Sequence, residues 1–247
     1  MPSKGIGREF MERTRYKYLS VSAQQQGLPQ PPLQALYKGT AEPIDLPAPS
    51  EIEMPEVDLR LAIEARESVR RYAEQPLSLA ELSYLLWCTQ GVRGVQGTYA
   101  TLRNVPSAGA RHALETYLLA NRVEGLQPGL YRFLALGHKL VAVDLEPGIA
   151  AAVAKACWDQ AMVQRCAVAF IWVAVAERMV WRYGQRGYRY MHLDAGHVCQ
   201  NLYLAAQSVG GGACAIAAFS DEDMNHLLGL DGEEQFVIYL ATVGKKL

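Results

Sequence analysis

The chain has 247 residues, 50% of them apolar, and a formal net charge of −1. This composition is typical of a globular protein with a sizeable core, and it gives no broad basic surface for nucleic acid or anionic membranes. The longest apolar run, residues 167–176, is about half the length of a membrane span. The charged N-terminus lacks the apolar stretch of a signal peptide, and the five cysteines show no paired spacing. We therefore expect a cytoplasmic protein without a metal site.

The N-terminal part of the chain is rich in proline, since eight of the twelve prolines precede residue 56. We predict a short helix over residues 7–19 and an extended arm over residues 24–55, because proline interrupts regular structure. The arm could be a flexible leader or a strap that lies over another surface. Its apolar residues favour the strap: Leu28, Leu33, Leu36, Tyr37, Ile44 and Leu46. We therefore divide the chain into this N-terminal helix and arm, residues 1–55, and a folded domain, residues 56–247.

Arginine and serine alternate in the segment Arg66-Glu67-Ser68-Val69-Arg70, which follows a helical pattern over residues 57–65. Arginine is the side chain best shaped for bidentate contacts with phosphate. In isolation, such a segment is more commonly two solvated arginines and a helix-capping serine. The rest of the chain has to decide between these two interpretations.

The next elements are marked by capping and glycine signals. Ser78 and Glu81 form a capping box for a helix that ends at Gly91. After it we predict a glycine-rich loop over residues 91–104. A short helix is predicted over residues 106–110, with Ser107 as its cap.

The second half of the chain alternates irregularly between strand and helix patterns. We predict strands at residues 116–123, 130–135, 139–143, 167–176, 214–217 and 235–243, the second and third forming a hairpin. The apolar run at 167–176 is typical of a strand buried on both faces. Helices are predicted at residues 147–158, with proline in the first turn, and at 188–209 and 220–228; the glycines at 210–212 are interpreted as a helix stop. This order predicts an α+β fold.

Familiar catalytic motifs are absent from the sequence. The glycines at 91, 94 and 97 do not match the dinucleotide-binding fingerprint, and there is neither a G-x-x-x-x-G-K-[ST] loop nor a G-x-S-x-G motif. His192 and His197 lie about 140° apart around a helix, so they do not share a face for one metal. Asp194 and His197 could share a face, and we interpret them as polar contacts at a helix interface. Anion-binding residues without a reactive side chain are typical of an enzyme whose chemistry belongs to a cofactor.

Several motifs, taken in order, resemble one family. Residues 66–70 resemble the R-x-S-x-R/K signature of the nitroreductase family of flavoproteins, and the motifs that follow are similar to its azoline dehydrogenase branch. These motifs are Pro76-Leu77-Ser78-Leu79, Gln90-Gly91, Arg103 with Pro106-Ser107-Ala108-Gly109-Ala110, Gly129-Leu130-Tyr131, Asp194-Ala195-Gly196-His197 and Val243-Gly244-Lys245. They run to the C-terminus in the family's order.

The resemblance implies an α+β homodimer with a central mixed or antiparallel sheet, flanked by helices, and with FMN at the subunit interface. It places Arg66 and Ser68, with Glu67 between them, at the FMN phosphate, and Arg70 near the ribityl chain and pyrimidine edge. It further implies contacts from Pro106, Ser107, Ala108 and Gly109 of the second subunit, from Ala217 and Ala218 near flavin N5 and O4, from Lys245 to the phosphate and from Gln160 to the pyrimidine edge.

The resemblance also implies ping-pong redox chemistry between a reductant such as NAD(P)H and a small organic acceptor. Three departures from the family pattern bear on this: Arg111-His112-Ala113 replaces Leu-Tyr-Pro, Ala218 replaces a glycine, and Arg182-Tyr183 replaces a Lys-Tyr pair. Arginine cannot act as a base near neutral pH, whereas Tyr183 could donate a proton, and we assign Arg182 and Tyr183 as the catalytic pair. Two alternatives stay open, an azoline-type peptide dehydrogenase and a non-catalytic scaffold subunit. We also expect the arm to lie across the dimer.

Overall fold

A seven-stranded sheet forms the centre of the computed structural model, which describes residues 5–247. The strands in chain order are β1 Ile44–Asp45, β2 Val92–Gln96, β3 Ala100–Arg103, β4 Leu114–Ala120, β5 Gly129–Leu134, β6 Lys139–Asp144, β7 Val168–Val175, β8 Gly211–Ile216 and β9 Gln235–Lys245. The sheet has the order β1-β6-β5-β4-β7-β9-β8, while β2 and β3 form a separate hairpin. All neighbouring strands are antiparallel, which is the second of the two predicted arrangements.

Helices cover both faces of this sheet. They are α1 Ile6–Arg13, α2 Leu59–Ala65, α3 Leu79–Gln90, α4 Ile149–Ala156, α5 Met162–Arg165, α6 Ala176–Tyr183, α7 Gly187–Ser208 and α8 Asp221–Leu227. The fold is therefore α+β, as predicted. Among the helices of residues 5–247, none combines the length and the apolar character needed to cross a membrane.

Strand β7 divides the apolar interior into two cores. Phe170 and Trp172 pack on the side of α3, α6 and α7, whereas Ile171 and Val173 pack on the side of α4, α5 and α8. Successive strand residues point to opposite faces, so a strand covered on both sides has to be apolar at every position. The prediction of a strand buried on both faces is confirmed, since every residue of β7 is buried.

The strongest local signals also specify the observed elements. Ser78 Oγ accepts the Glu81 amide at 3.1 Å and the Glu81 carboxylate accepts the Ser78 amide at 2.9 Å, which completes the capping box of α3. Ser220 caps α8, since its Oγ accepts the Asp223 amide at 3.3 Å. The predicted hairpin is formed by β5 and β6.

Outside the 106–112 region, three predictions of local structure were wrong and one helix was not predicted. Residues 91–104 form the β2–β3 hairpin, whose turn contains Gly97 with φ +52°, rather than a loop. The first helix ends at Arg13, and only a short 3₁₀ turn follows it at Tyr16–Tyr18. Helix α4 excludes Pro147, because Gly148 before it has φ +100°. Helix α6 was not predicted, since it begins at Ala176 directly after β7 and has no capping side chain.

Residues 24–55, hereafter the strap, lie along the surface of the domain. Two buried side chains hold them: Arg178 Nε donates to the Pro32 carbonyl at 2.8 Å, and Glu115 Oε1 accepts the Ala35 amide at 2.8 Å. The strap also supplies β1, the edge strand beside β6. The chain therefore has a strap rather than a flexible leader at this position.

The apolar residues that suggested a strap contribute less than expected. Leu28 and Leu36 remain exposed, whereas Leu46 is buried in the core. Hydrogen bonds to the backbone of the strap are the contacts that sequence reasoning missed, because they come from arginines far away in the chain.

Candidate functional site

Residues 66–70, hereafter the arginine segment, lie against the edge strand β8. The Val69 amide donates to the Ala213 carbonyl at 2.9 Å, and Ser68 forms a parallel bridge with the same residue. A Cβ atom on Gly212 would overlap the Val69 side chain. The glycines at 210–212 therefore do more than end α7, because Gly212, the second residue of β8, lets the arginine segment approach the sheet closely.

The side chains of the arginine segment surround one tyrosine of α7. Ser68 Oγ lies 3.1 Å from Tyr203 Oη, which accepts the Ala215 amide at 2.8 Å, and the Arg66 guanidinium lies 5.4 Å from the centre of the Tyr203 ring. Arg70 is exposed and donates only to the Ser68 carbonyl, at 3.4 Å. Neither arginine forms an ion pair with any residue in 5–247. Two guanidiniums and a hydroxyl are thus available to an anion.

Two lysines at the C-terminus have different surroundings. Lys245 donates to the carboxylate of Glu81 and, at 2.7 Å, to the Val209 carbonyl, so its charge is already compensated. Lys246 Nζ lies 3.7 Å from Glu67, a residue of the arginine segment itself. Lys246 is therefore a candidate anion ligand that the sequence interpretation, which chose Lys245, did not identify.

The chain after β8 brings three further predicted residues together. Pairing with β9 ends at Ile216, so Ala217 and Ala218 continue beyond the ladder with exposed backbone. Gln160 Nε2 donates to the Ala218 carbonyl at 3.0 Å and to the Cys157 carbonyl at 3.0 Å. The predicted residues Gln160 and Ala218 are thus direct neighbours.

The two residues before Gln160 have unusual backbone conformations. Trp158 and Asp159 have φ of +56° and +54°, in the left-handed region that side chains other than glycine rarely adopt. Trp158 is 67% exposed, and it precedes by two residues Gln160, which contacts Ala218. Such strain is commonly found near functional sites, and no sequence signal marks it here.

Residues 106–112, hereafter the 106–112 loop, are fixed to α7 by one carboxylate. Ser107 Oγ donates to Asp194 at 2.6 Å and accepts the His112 amide at 2.9 Å, and the Ala108 amide donates to Asp194 at 3.2 Å. Burial raises the pKa of Asp194, while the bonds from Ser107 and Ala108 act in the opposite direction. Ser107 is therefore an anchor and not the helix cap that we predicted.

The 106–112 loop is not an α-helix. Only a short 3₁₀ turn forms over Ala108–Ala110, and Gly109, Ala110 and His112 have φ of +58°, +52° and +43°. Left-handed conformations are costly for alanine and histidine, so the bonds to Asp194 must hold the loop in this shape.

Arg182 and Tyr183 lie directly against this loop. A Cβ atom on Gly109 would overlap Tyr183 Oη and would lie 3.0 Å from Arg182 Nε. The Tyr183 ring packs edge-on against Tyr190, with 4.9 Å between ring centres. The structure thus brings the predicted catalytic pair to the predicted flavin-contacting loop.

The predicted site residues form two separate groups on α7. The 106–112 loop is bound at Asp194 and the arginine segment at Tyr203, which are nine residues apart. Nine helical residues correspond to about 14 Å along the axis and about 180° around it. The two groups therefore lie on opposite sides of α7.

Metal binding receives no support from the geometry. No group of three or more histidine, cysteine or acidic side chains in residues 5–247 is placed to hold a metal ion. The five cysteines are free thiols, and four of them are buried.

Comparisons with known proteins identify the family of this chain. The family model named Nitroreductase family matches residues 63–245. A nitroreductase-like protein of Methanocaldococcus jannaschii is 34% identical over 209 residues, which cover 85% of this chain and 99% of the relative.

Two solved structures share the fold. A nitroreductase-like protein of Ralstonia eutropha has a TM-score of 0.68 at 25% identity and covers 89% of this chain and 99% of its own. A chain of the Escherichia coli microcin synthetase McbBCD complex has a TM-score of 0.63 at 19% identity, with 97% and 86% covered. The match over residues 63–245 spans six of the seven strands of the sheet, all except β1, together with the arginine segment and the 106–112 loop. This chain belongs to the nitroreductase family.

Proposed function

We propose that this protein is an FMN-dependent oxidoreductase that transfers electrons from a reductant such as NAD(P)H to a small organic acceptor by a ping-pong mechanism. The observation that carries the proposal is the arginine segment, which presents Arg66, Ser68 and Arg70, and neither guanidinium forms an ion pair within residues 5–247. A phosphate with two negative charges suits this set of donors. Bound FMN would supply the two-electron chemistry that the side chains of this chain lack.

The residues around β8 would hold this cofactor. Arg66 and Ser68, together with Lys246 near Glu67, would bind the phosphate. Arg70 would lie toward the ring, where a cation favours negative charge on the reduced flavin. Further contacts would come from Gln160 and from the backbone of Ala217 and Ala218, and Lys245 would support the phosphate site through Glu81.

The 106–112 loop would complete the site from a second copy of the chain. Its residues Pro106, Ser107, Ala108 and Gly109 would contact the flavin mainly by backbone. We propose a homodimer because the two groups of site residues lie about 14 Å apart along α7. Exposed apolar side chains support this proposal on α2, on the β2–β3 hairpin and on α7: Leu59, Leu61, Ile63, Val95, Tyr99, Leu102 and Leu193.

Arg182 and Tyr183 would act on the substrate at this site. Tyr183 would donate a proton to the acceptor, since its hydroxyl lies against Gly109. Arg182 stays charged near neutral pH, so its role would be binding and orientation rather than proton transfer. The five free thiols suit a reducing cytoplasm, which we propose as the location.

A second candidate function is azoline-type peptide oxidation. It is favoured by the fold shared with a chain of a microcin synthetase complex. Arg182 weighs against it, because a base is needed where the azoline dehydrogenases have lysine. A non-catalytic scaffold is the third candidate.

Anaerobic titration of the FMN-loaded protein with NADH and with NADPH tests the proposed function. We expect at least one of them to bleach the flavin absorbance, and the colour to return when an organic acceptor is added. Flavin that binds but is reduced by neither nucleotide would favour the scaffold, and reduction only by a peptide substrate would favour azoline oxidation.

A further inference from the structure

Two arginines meet beside Gly109 without a carboxylate between them. Arg111 donates to the carbonyls of Tyr99 at 2.6 Å and Gly109 at 3.1 Å. Arg182 is exposed, and its guanidinium lies 5.6 Å from the centre of the Tyr183 ring. Neither arginine takes part in an ion pair within residues 5–247. The 106–112 loop is therefore bordered by two positive charges that remain uncompensated.

These charges are close enough to influence each other. Burial and the charge of Arg182 lower the pKa of the Arg111 guanidinium. Arg111 cannot move away, because it is 7% exposed and packs over the Trp181 ring at 5.4 Å. Two like charges held together in this way favour an anion between or beside them.

An open pocket of about 490 Å³ lies on the other side of Arg182 and Tyr183. Its remaining wall is the N-terminal stretch from Tyr16 to Gln25, and none of its lining residues is acidic. The wall is fixed, since the Gln24 amide donates to the Trp181 carbonyl at 2.9 Å. Tyr16 Oη also lies 2.9 Å from Tyr190 Oη. The pocket is thus preformed and combines cationic with aromatic surfaces.

We infer that this pocket selects acceptors that carry a carboxylate on an aromatic ring. Arg182, supported by the charge of Arg111, would bind the carboxylate, and the rings of Tyr16 and Tyr183 would pack against the aromatic part. The acceptor's reducible group would then lie toward Tyr183, whose hydroxyl is against Gly109. The inference rests on the proposed function, because it makes the pocket the acceptor site of that reaction.

The experiment compares para-nitrobenzoate with para-nitrobenzamide, which has nearly the same shape but no charge. Each turnover consumes NAD(P)H and a proton, converts the nitro group to a nitroso group and releases water. We expect kcat/KM to favour the benzoate at least about tenfold, as expected for one charge-assisted hydrogen bond. Arg182→Gln should abolish this preference and Arg182→Lys should restore part of it.

The matched control is Arg165→Gln, which removes the same charge from an exposed position on α5. It should keep the wild-type preference. A wild-type ratio near one, or a preference unchanged in Arg182→Gln, would overturn the inference. A change confined to the KM ratio of NADPH to NADH would also overturn it, because the pocket would then bind the reductant.

Binding separates this inference from the proposed function. Benzoate and benzamide are titrated calorimetrically into the protein as purified, without turnover. Tighter binding of benzoate that disappears in Arg182→Gln supports the pocket even if neither nitro compound is reduced, in which case only the proposed function fails. Equal binding of benzoate and benzamide contradicts the pocket even in an active enzyme.

Discussion

The protein uses arginine in two opposite ways. In the buried cluster of Glu115, Arg132 and Arg178, the carboxylate lies 2.5 Å from Arg178 and 3.2 Å from Arg132, and all three side chains are at most 7% exposed. In the arginine segment, Arg66 and Arg70 form no ion pair with any of the described residues 5–247. The first arrangement is complete within one chain, while the second is open to a ligand.

Electrostatics explains this difference. A buried charge without a partner is costly, so Glu115 stabilises the buried Arg132 and Arg178. Burial alone would raise the pKa of Glu115, but the charges of Arg178 and Arg132 outweigh it and hold that pKa below its ordinary value. An exposed arginine stays solvated without a partner and can exchange water for an anion. The carboxylate partner, and not the residue type, therefore distinguishes Arg132 and Arg178 from Arg66 and Arg70.

The largest expected effect comes from removing the shared partner in the buried cluster. Glu115→Ala should lower the free energy of unfolding by about 3–5 kcal/mol, because two guanidiniums stay buried without a carboxylate. Urea unfolding measures this loss, and Glu115→Gln provides a milder variant if the first does not fold. The control Glu64→Ala removes an exposed carboxylate that pairs with Arg60. A loss no larger than in this control would show that the cluster is not structural.

The buried His112 should make the folded protein less stable at low pH. Burial, together with the charges of Arg103, Arg111 and Arg178, lowers the pKa of His112 to about 3. Between that value and the ordinary pKa of about 6.5, the unfolded chain binds a proton that the folded chain does not. His112 therefore leaves the free energy of unfolding unchanged above pH 6.5. Below that pH the free energy of unfolding decreases, by about 1–2 kcal/mol near pH 5.

His112→Asn should reduce this pH dependence. Asparagine tolerates the φ of +43° at this position and does not titrate. His138 shifts in the same direction, because burial lowers its pKa, and will leave a residual slope. Unfolding curves at several pH values between 4.5 and 7.5 provide the measurement, and an unchanged slope in His112→Asn would contradict the assignment.

The smallest effect separates the two lysines. Lys246→Ala should weaken FMN binding by about 0.5–1 kcal/mol, since Lys246 is paired only loosely with the exposed Glu67. Lys245→Ala should act on stability instead, because Glu81 and the Val209 carbonyl lose their donor. Fluorescence titration with FMN and urea unfolding of both variants distinguish these outcomes. Weaker FMN binding in Lys245→Ala, with FMN binding unchanged in Lys246→Ala, would indicate that Lys245 binds the phosphate.

Sequence reasoning succeeded where one local signal determines the structure. The unbroken apolar run of β7 and the capping box at Ser78 are two such cases. The β2–β3 hairpin was missed because glycines interrupt the strand pattern and no residue of β2 is buried. The left-handed residues Ala110, His112, Trp158 and Asp159 have no sequence signature.

The candidate site was less accessible to sequence reasoning for a different reason. Its motif residues were identified by resemblance, but their contacts depend on residues distant in the chain. Asp194 holds a loop 87 residues away, and Tyr203 contacts Ser68 across 135 residues. The distinction between Lys245 and Lys246 likewise depends on Glu81, which only the fold places beside Lys245.

The measurement that tests the central claim most directly is FMN binding by the purified protein. We expect a yellow protein that releases about one FMN per chain on denaturation. Arg66→Ala with Arg70→Ala should weaken binding by roughly 1.5–3 kcal/mol for each charge-assisted bond lost, with little change in stability. The same substitutions at the exposed Arg60 and Arg165 should leave FMN binding intact. A colourless protein that also fails to bind added FMN would contradict the account.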